Sequence, residues 1–310
     1  MGSVSESVQD VIRDLERKRN SRIFGLVHCG SHHICSPTFA SVLKFRELIQ
    51  GTQTLEILMH SPGGHPSIAY QVMKFFRRTC KHVNVIVPLQ AKSAATLMCF
   101  GADMIFMGEF AELGPMDVQI NDPVERGAEP FSPLDEFKSM EFLREYAVEL
   151  VDYFTFLFIK RSGMSIKEAI HESIPCVSGM MRPLYERIDP LEVGGHRRSL
   201  AIGEEYATRL LKLVKNPHWE SIVEKLVWKY PSHDFAIDIE EALELNLPVT
   251  ALPRDQDKAL VNVIMELEED ETCLYGFIPA SPNQPNVPAS PKRKHGQTVR
   301  KRTNGAAASV

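Results

Sequence analysis

No stretch of this 310-residue chain approaches the roughly 18–20 consecutive apolar residues that a membrane-spanning helix needs. The nearest is VDYFTFLFI, Val151 to Ile159. Cysteine is sparse and irregular: Cys29, Cys35, Cys80, Cys99, Cys176 and Cys273 follow no framework spacing, and Met1 to Asn20 is too polar and charged for a secretory leader. Reduced thiols in the cytoplasm are the expectation, with no transmembrane segment. Neither GxGxxG nor GxxxxGK[ST] occurs, and no repeat of fixed period is present. The formal net charge of -5 offers no global attraction to nucleic acid, so none is expected as a required partner.

Charge is nevertheless uneven. Lys292, Arg293, Lys294, Arg300, Lys301 and Arg302 sit in a tail without acids, among Pro282, Pro285, Pro288 and Pro291. With almost nothing large and apolar to bury, residues 280–310 are expected to be a disordered basic tail, either solubilising or an electrostatic tether to an acidic surface.

What is present is an alternation of strand and helix signals. RIFGLVHC (Arg22–Cys29), TLEILMH (Thr54–His60), VNVIVPLQ (Val83–Gln90) and MIFMG (Met104–Gly108) read as strands. TFASVLKFRELIQ and SIAYQVMKFFRRT between them carry helical periodicity. Nearly all-apolar strands separated by helices imply a parallel sheet covered on both faces. From Ser132, a candidate N-cap before Pro133, the pattern changes to long helices, the first stopping near Gly163. Further helices are expected in SIKEAIHES, GEEYATRLLKLV and IEEALELN, and the acidic run Glu266 to Glu271 reads as a solvated helix face or loop. Three segments follow: residues 1–20, helical or flexible; 21–279, an α/β domain with a helical second half; and 280–310, the tail.

Two short stretches carry chemistry. Ser61-Pro62-Gly63-Gly64 ends a buried strand, and its glycines let backbone N–H groups point into open space. Such a turn could hold a phosphate or the oxyanion of a carbonyl under attack, or be only a turn. Ser93 follows the third strand and opens SAATLMCFGA, whose small residues allow a helix to approach the sheet closely. Alone, Ser93 would be an ordinary N-cap. Paired with the glycine turn on the same carboxyl edge, it could be a nucleophile whose oxyanion the Gly64 and Ala94 amides receive.

SPGG, AKSAATLMCFGADMIFMG and ELGPMDVQI together resemble the Clp/crotonase-fold serine proteases, most closely the serine dehydrogenase proteinase family, relatives of signal peptide peptidase A. The likeness spans about Arg22 to Gln119 and continues more weakly to YPSHDFAIDIEEALELNLPV. It implies a Clp/crotonase-like α/β fold: a parallel sheet with flanking helices and a helical C-terminal portion. It also implies a homo-oligomer that needs no cofactor and acts on a peptide or protein substrate. Ser93 would be the nucleophile, with Gly63, Gly64 and Ala94 forming the oxyanion hole.

The base departs from the pattern of the Clp proteolytic subunit, where a histidine follows the nucleophile at about the distance of GPMDVQ; here that segment holds Met116 and Asp117. Signal peptide peptidase A resembles a Ser-Lys dyad instead, which makes Lys138 the favoured base. Asp117 and His233 are the alternatives. Lys92 adjoins Ser93 but should point to the other face, as a surface lysine. The cluster His28, Cys29, His32, His33 and Cys35 matches no zinc spacing, so no metal is expected, and its loop could line a substrate groove. The aromatics of VDYFTFLFIK read as helix core or subunit interface.

The function expected is a serine endopeptidase of Ser-Lys type, independent of ATP, forming an acyl-enzyme on Ser93. Two alternatives remain: a Clp-fold scaffold with weak or lost catalysis, and an acyl-CoA enzyme of crotonase type. The serine of KSAAT argues against the second, because those enzymes activate a thioester without a nucleophilic hydroxyl there.

Overall fold

The computed structural model describes residues 4–116, 133–230, 232 and 234–278. Asp117, Ser132, His233 and the basic tail lie outside the described residues. Helix α1 (Glu6–Arg19) starts where Ser5 Oγ accepts the Val8 N–H and ends at Asn20, φ 47°. Strand β1 (Arg22–Val27) follows, then α2 (Ser36–Lys44), α3 (Arg46–Ile49) and β2 (Thr54–His60). Helix α4 (Pro66–Thr79) has proline in its first turn and buries Ala69, Val72, Met73 and Phe76, one stripe at helical spacing. Next come β3 (His82–Val87), β4 (Gln90–Ala91), α5 (Ala94–Cys99), β5 (Met104–Met107) and β6 (Glu112–Leu113).

The helical half is α6 (Pro133–Ser162), α7 (Ile166–Tyr185) and α8 (Pro190–Leu213), then α9 (Trp219–Glu224), which runs into a π-helical turn at Lys225–Lys229. Helix α10 (Ile239–Glu244), β7 (Val249–Ala251), α11 (Arg254–Glu269) and β8 (Leu274–Phe277) return the chain to the sheet.

The main sheet has the order β7-β5-β3-β2-β1-β8. Its first five strands run parallel, as expected from their apolar sequences. The edge strand β8 departs from the all-parallel expectation, running antiparallel with Phe24 opposite Phe277. Each sheet face has its own core. Phe24, Leu26, Ile57, Met59, Val85 and Val87 pack under α4, α5 and α8, whereas Ile23, Leu58 and Ile86 pack under α1 and α11.

At the carboxyl edge a second, two-stranded sheet forms from β4 and β6. The expected third strand, Val83 to Gln90, is therefore two elements: β3 ends at Val87, and the chain steps after Pro88 into β4. That step carries the Ser93 segment out of the main sheet and beside the end of β2.

Candidate active site

Ser61, the residue after β2, ties the two sequence motifs together. Its N–H donates to the Gln90 carbonyl at 3.1 Å and its carbonyl accepts the Lys92 N–H at 3.0 Å, so Ser61 is a backbone neighbour of Ala91. Its hydroxyl meanwhile accepts the Gly63 N–H at 3.1 Å. Gly63 and Gly64 then adopt φ 112° and 135°, a region L side chains rarely enter.

The two bends meet. A Cβ at Gly63 would lie 2.8 Å from the Lys92 carbonyl oxygen, 2.9 Å from Ser93 Cβ and 3.2 Å from the Ala94 nitrogen. Only glycine lets the turn approach the serine this closely. On its other side Gly64 lies against Ile34 of the histidine-rich loop: the Ile34 N–H donates to Gly63 O at 2.7 Å and the His65 N–H to Ile34 O at 2.8 Å. A Cβ at Gly64 would collide with the Ile34 backbone. The histidine-rich loop therefore forms one wall of the glycine turn.

Ser93 occupies the N-cap position of α5 with φ 49° and ψ -115°, yet its side chain makes no capping hydrogen bond. That backbone resembles the first central residue of a type II′ turn, which glycine prefers, and holding a serine there costs on the order of 1–3 kcal/mol. Ser93 is half-buried, so the hydroxyl has access to solvent. Among the described residues, neither the Gly64 nor the Ala94 N–H donates to an acceptor, while the Gly63 N–H is occupied by Ser61. Gly63 thus leaves room for the serine, and the Gly64 and Ala94 N–H groups have no acceptor among the described residues.

Behind Ser93, the Thr96 hydroxyl donates to Ala91 O at 2.6 Å and accepts the Gly114 N–H at 3.0 Å, locking α5 onto both strands of the small sheet. In the sequence Ser61 stands out only as part of the turn and Thr96 only as a small residue, not for the hydrogen bonds their hydroxyls make. Only the convention that a buried hydroxyl needs a partner could have flagged them.

No base touches the hydroxyl among the described side chains. Lys138, on the second turn of α6, donates to the Tyr230 carbonyl at 2.8 Å. Lys92 is not the surface lysine expected. Its side chain is 15% exposed, lies 2.9 Å from Glu112 Oε1 and packs against Gly114. The segments carrying the three candidate bases are nonetheless laced together: the Met116 N–H donates to Leu226 O at 2.9 Å, Lys138 reaches Tyr230, and Leu113 pairs with Ile237. Met116 adjoins Asp117, and Tyr230 stands three residues before His233.

Residues 3–126 match the family model of ClpP-like SDH-type serine proteinases. That match contains Gly63, Gly64, Ser93, Ala94 and Asp117 and stops short of Lys138 and His233. The uncharacterized protein MJ0137 of Methanocaldococcus jannaschii is 26% identical over 283 residues, covering 88% of this chain and 82% of that protein. A second uncharacterized protein of the same organism, MJ1495, is 22% identical over 256 residues, covering 78% and 72%. Among solved structures, a lysine-to-alanine variant of the 1510-N membrane-bound stomatin-specific protease, in complex with a substrate peptide, superposes with a TM-score of 0.44 at 12% identity, covering 79% of each chain.

Burial shapes the titration of the histidines near the glycine turn. Desolvation lowers the pKa of His28 to about 4, its Nε2 lying 3.3 Å from Thr38 Oγ1. His60, directly before Ser61, is likewise lowered by desolvation, opposed by Glu268 at 2.9 Å. Among the described residues, no three His, Cys, Asp or Glu side chains are arranged to hold a metal ion.

Proposed function

We propose that this chain is a serine endopeptidase that needs neither ATP nor a cofactor. Ser93 Oγ would attack the peptide carbonyl, and the Gly64 and Ala94 N–H groups would receive the developing oxyanion. The observation that carries this reading is the strained serine left uncapped beside two undonated amides. An oxyanion donor of this kind is typically worth about 3–4 kcal/mol in the transition state. The serine proton passes to a base, an acyl-enzyme forms as the amine leaves with a proton, and water reverses the sequence.

Lys138 is the base we favour. Its ammonium is held by a carbonyl on the segment that leads to His233, and a change of partner from Tyr230 O to Ser93 Oγ would complete a Ser-Lys dyad. Peptide or protein substrates, assembly into a homo-oligomer and a cytoplasmic location belong to the same proposal. Among the described residues no helix is long and apolar enough to cross a membrane.

A fluorophosphonate probe tests the nucleophile. Folded wild-type protein should be labelled at Ser93, and the Ser93→Ala variant should not. Lys138→Ala should slow labelling by at least a hundredfold, and the same loss in His233→Ala or Asp117→Asn with Lys138→Ala unaffected would reassign the base. The second reading, a scaffold without turnover, is favoured by the Lys138 ammonium bonding Tyr230 O rather than Ser93 among the described residues. Folded protein that resists the probe entirely would establish it.

A further inference from the structure

A cavity of about 350 Å³ opens where the end of β5 meets β7 and the start of α11, lined by Met107, Gly108, Leu252, Arg254 and Asp257 among others. Its size lies within the roughly 300–1,000 Å³ of small-molecule sites. Asp257 is 7% exposed, so its carboxylate is buried. One oxygen, Oδ2, accepts the Glu109 N–H at 3.2 Å, whereas Oδ1 has no partner. Oδ1 and the Pro88 carbonyl oxygen converge over the Cα of Gly108, where a side chain would collide with both. Among the described residues the Pro88 carbonyl also accepts no hydrogen bond. Two unsatisfied acceptors, one of them charged, meet at one place and call for a group with several donors.

Arg254 stands at the cavity on the first turn of α11, a 16-residue helix. It makes no ion pair among the described residues, although Asp257 lies three positions along the same helix. The Arg254 and Asp255 amides at that helix start have no acceptor either, because the first bonds of the helix come from Gln256 and Asp257 to Pro253 O. The cavity is thus lined by a buried anion, by a guanidinium without an ion pair among the described residues beside helix-start amides, and by apolar Met107, Ile239 and Leu252.

We propose that this cavity binds a small zwitterion, an apolar α-amino acid, with its ammonium on Asp257 Oδ1 and Pro88 O and its carboxylate on Arg254 and the helix start. Nothing in the hydrolytic site takes part. Gly108 serves as the floor because a methyl group there would fill the ammonium cradle.

Calorimetric titration of the full chain tests this with three probes. L-Leucine should bind, L-leucinamide, which keeps the ammonium, should bind more weakly, and 4-methylpentanoate, which lacks it, should not bind. Asp257→Asn should weaken L-leucine at least tenfold. Arg254→Gln should weaken L-leucine several-fold and leave L-leucinamide unchanged, a difference that loss of folding cannot produce. The proposal is overturned if no heat appears with L-leucine at millimolar concentration, or if folded Asp257→Asn binds it as wild type does. Fluorophosphonate labelling should be the same in Arg254→Gln as in wild type, so failure here and failure of the peptidase reading are separate results.

Discussion

At Ser93 two demands on one residue conflict. A hydroxyl at an N-cap normally stabilises its helix, yet here φ 49° turns it away from the helix start. Glycine would adopt that backbone freely, whereas alanine would keep the strain and lose the hydroxyl. Ser93→Gly should therefore be more stable than Ser93→Ala by about 1 kcal/mol in urea unfolding, both remaining unlabelled by fluorophosphonate. Equal stabilities would mean the backbone there relaxes on folding to an ordinary cap. The buried histidine predicts a pH dependence. His28 titrates near 4 when folded, below the unfolded value of about 6.5, so the unfolded chain binds the extra proton first. Its contribution is intact above pH 6.5 and is lost as pH falls toward 4, on the order of 3 kcal/mol across that window. Urea midpoints measured at pH 7 and 4.5 should differ less in His28→Gln than in wild type. That the glycine turn and Ser93 meet was legible in the sequence, because a positive-φ turn demands glycine and small residues let the following helix approach it. The hydroxyls of Ser61 and Thr96 were not, since any of many serines and threonines could have filled such roles.

At the scale of elements, strands β1, β2, β3 and β5 and helix α4 follow directly from apolar runs and helical stripes, whereas the single helix expected over TFASVLKFRELIQ breaks at Phe45 into α2 and α3. The break at Pro88 and the return of β8 did not show, because β4, β6, β7 and β8 are two to four residues long and owe their existence to partners distant in sequence. The acidic run Glu266–Glu271 reads as a solvated face, but only in part is it one: Glu268 holds both His60 and the Gly30 N–H, and Glu266 bonds Ser5 and Ser7. The same hidden long-range pairing fixes α1. Arg19 meets Glu56 of β2 through two bonds of 2.6 and 2.7 Å, with side chains 9% and 3% exposed, while its guanidinium lies 4.1 Å above the Phe106 ring. Arg19→Met would leave the Glu56 carboxylate buried beside Ser21 without its cation, and should cost about 3–5 kcal/mol. The double variant Arg19→Met with Glu56→Leu should recover most of that in denaturant unfolding. A double variant as unstable as the single one would show that the loss came from packing rather than from the unpaired charge.

Across the whole molecule, apolar surface is unevenly spread. The pair α6 and α7 reaches the sheet through α8, which packs on α4 and α5. Their far surfaces carry Phe142, Val148, Tyr153 and Phe156 on α6 and Ile166, Ile170 and Ile174 on α7, all exposed. The three isoleucines are spaced four apart, so they form one stripe, and the Phe142 and Tyr146 rings stack at 5.8 Å beside solvent. The expectation of helix core for VDYFTFLFIK therefore fails at Tyr153 and Phe156, and the other expectation, a subunit interface, fits their exposure. Exposed apolar side chains at this density mark association sites, and a second copy of the chain supplies an equally apolar stripe without any further partner. Sedimentation velocity at micromolar protein should show a multimer. Phe156→Asp combined with Ile170→Asp should shift it to monomer and abolish any dependence of the unfolding midpoint on protein concentration. A wild-type chain that sediments as a monomer would instead assign the stripe to a different protein. A midpoint that falls even at concentrations where wild type is also monomeric would place the two residues in the monomer's own packing.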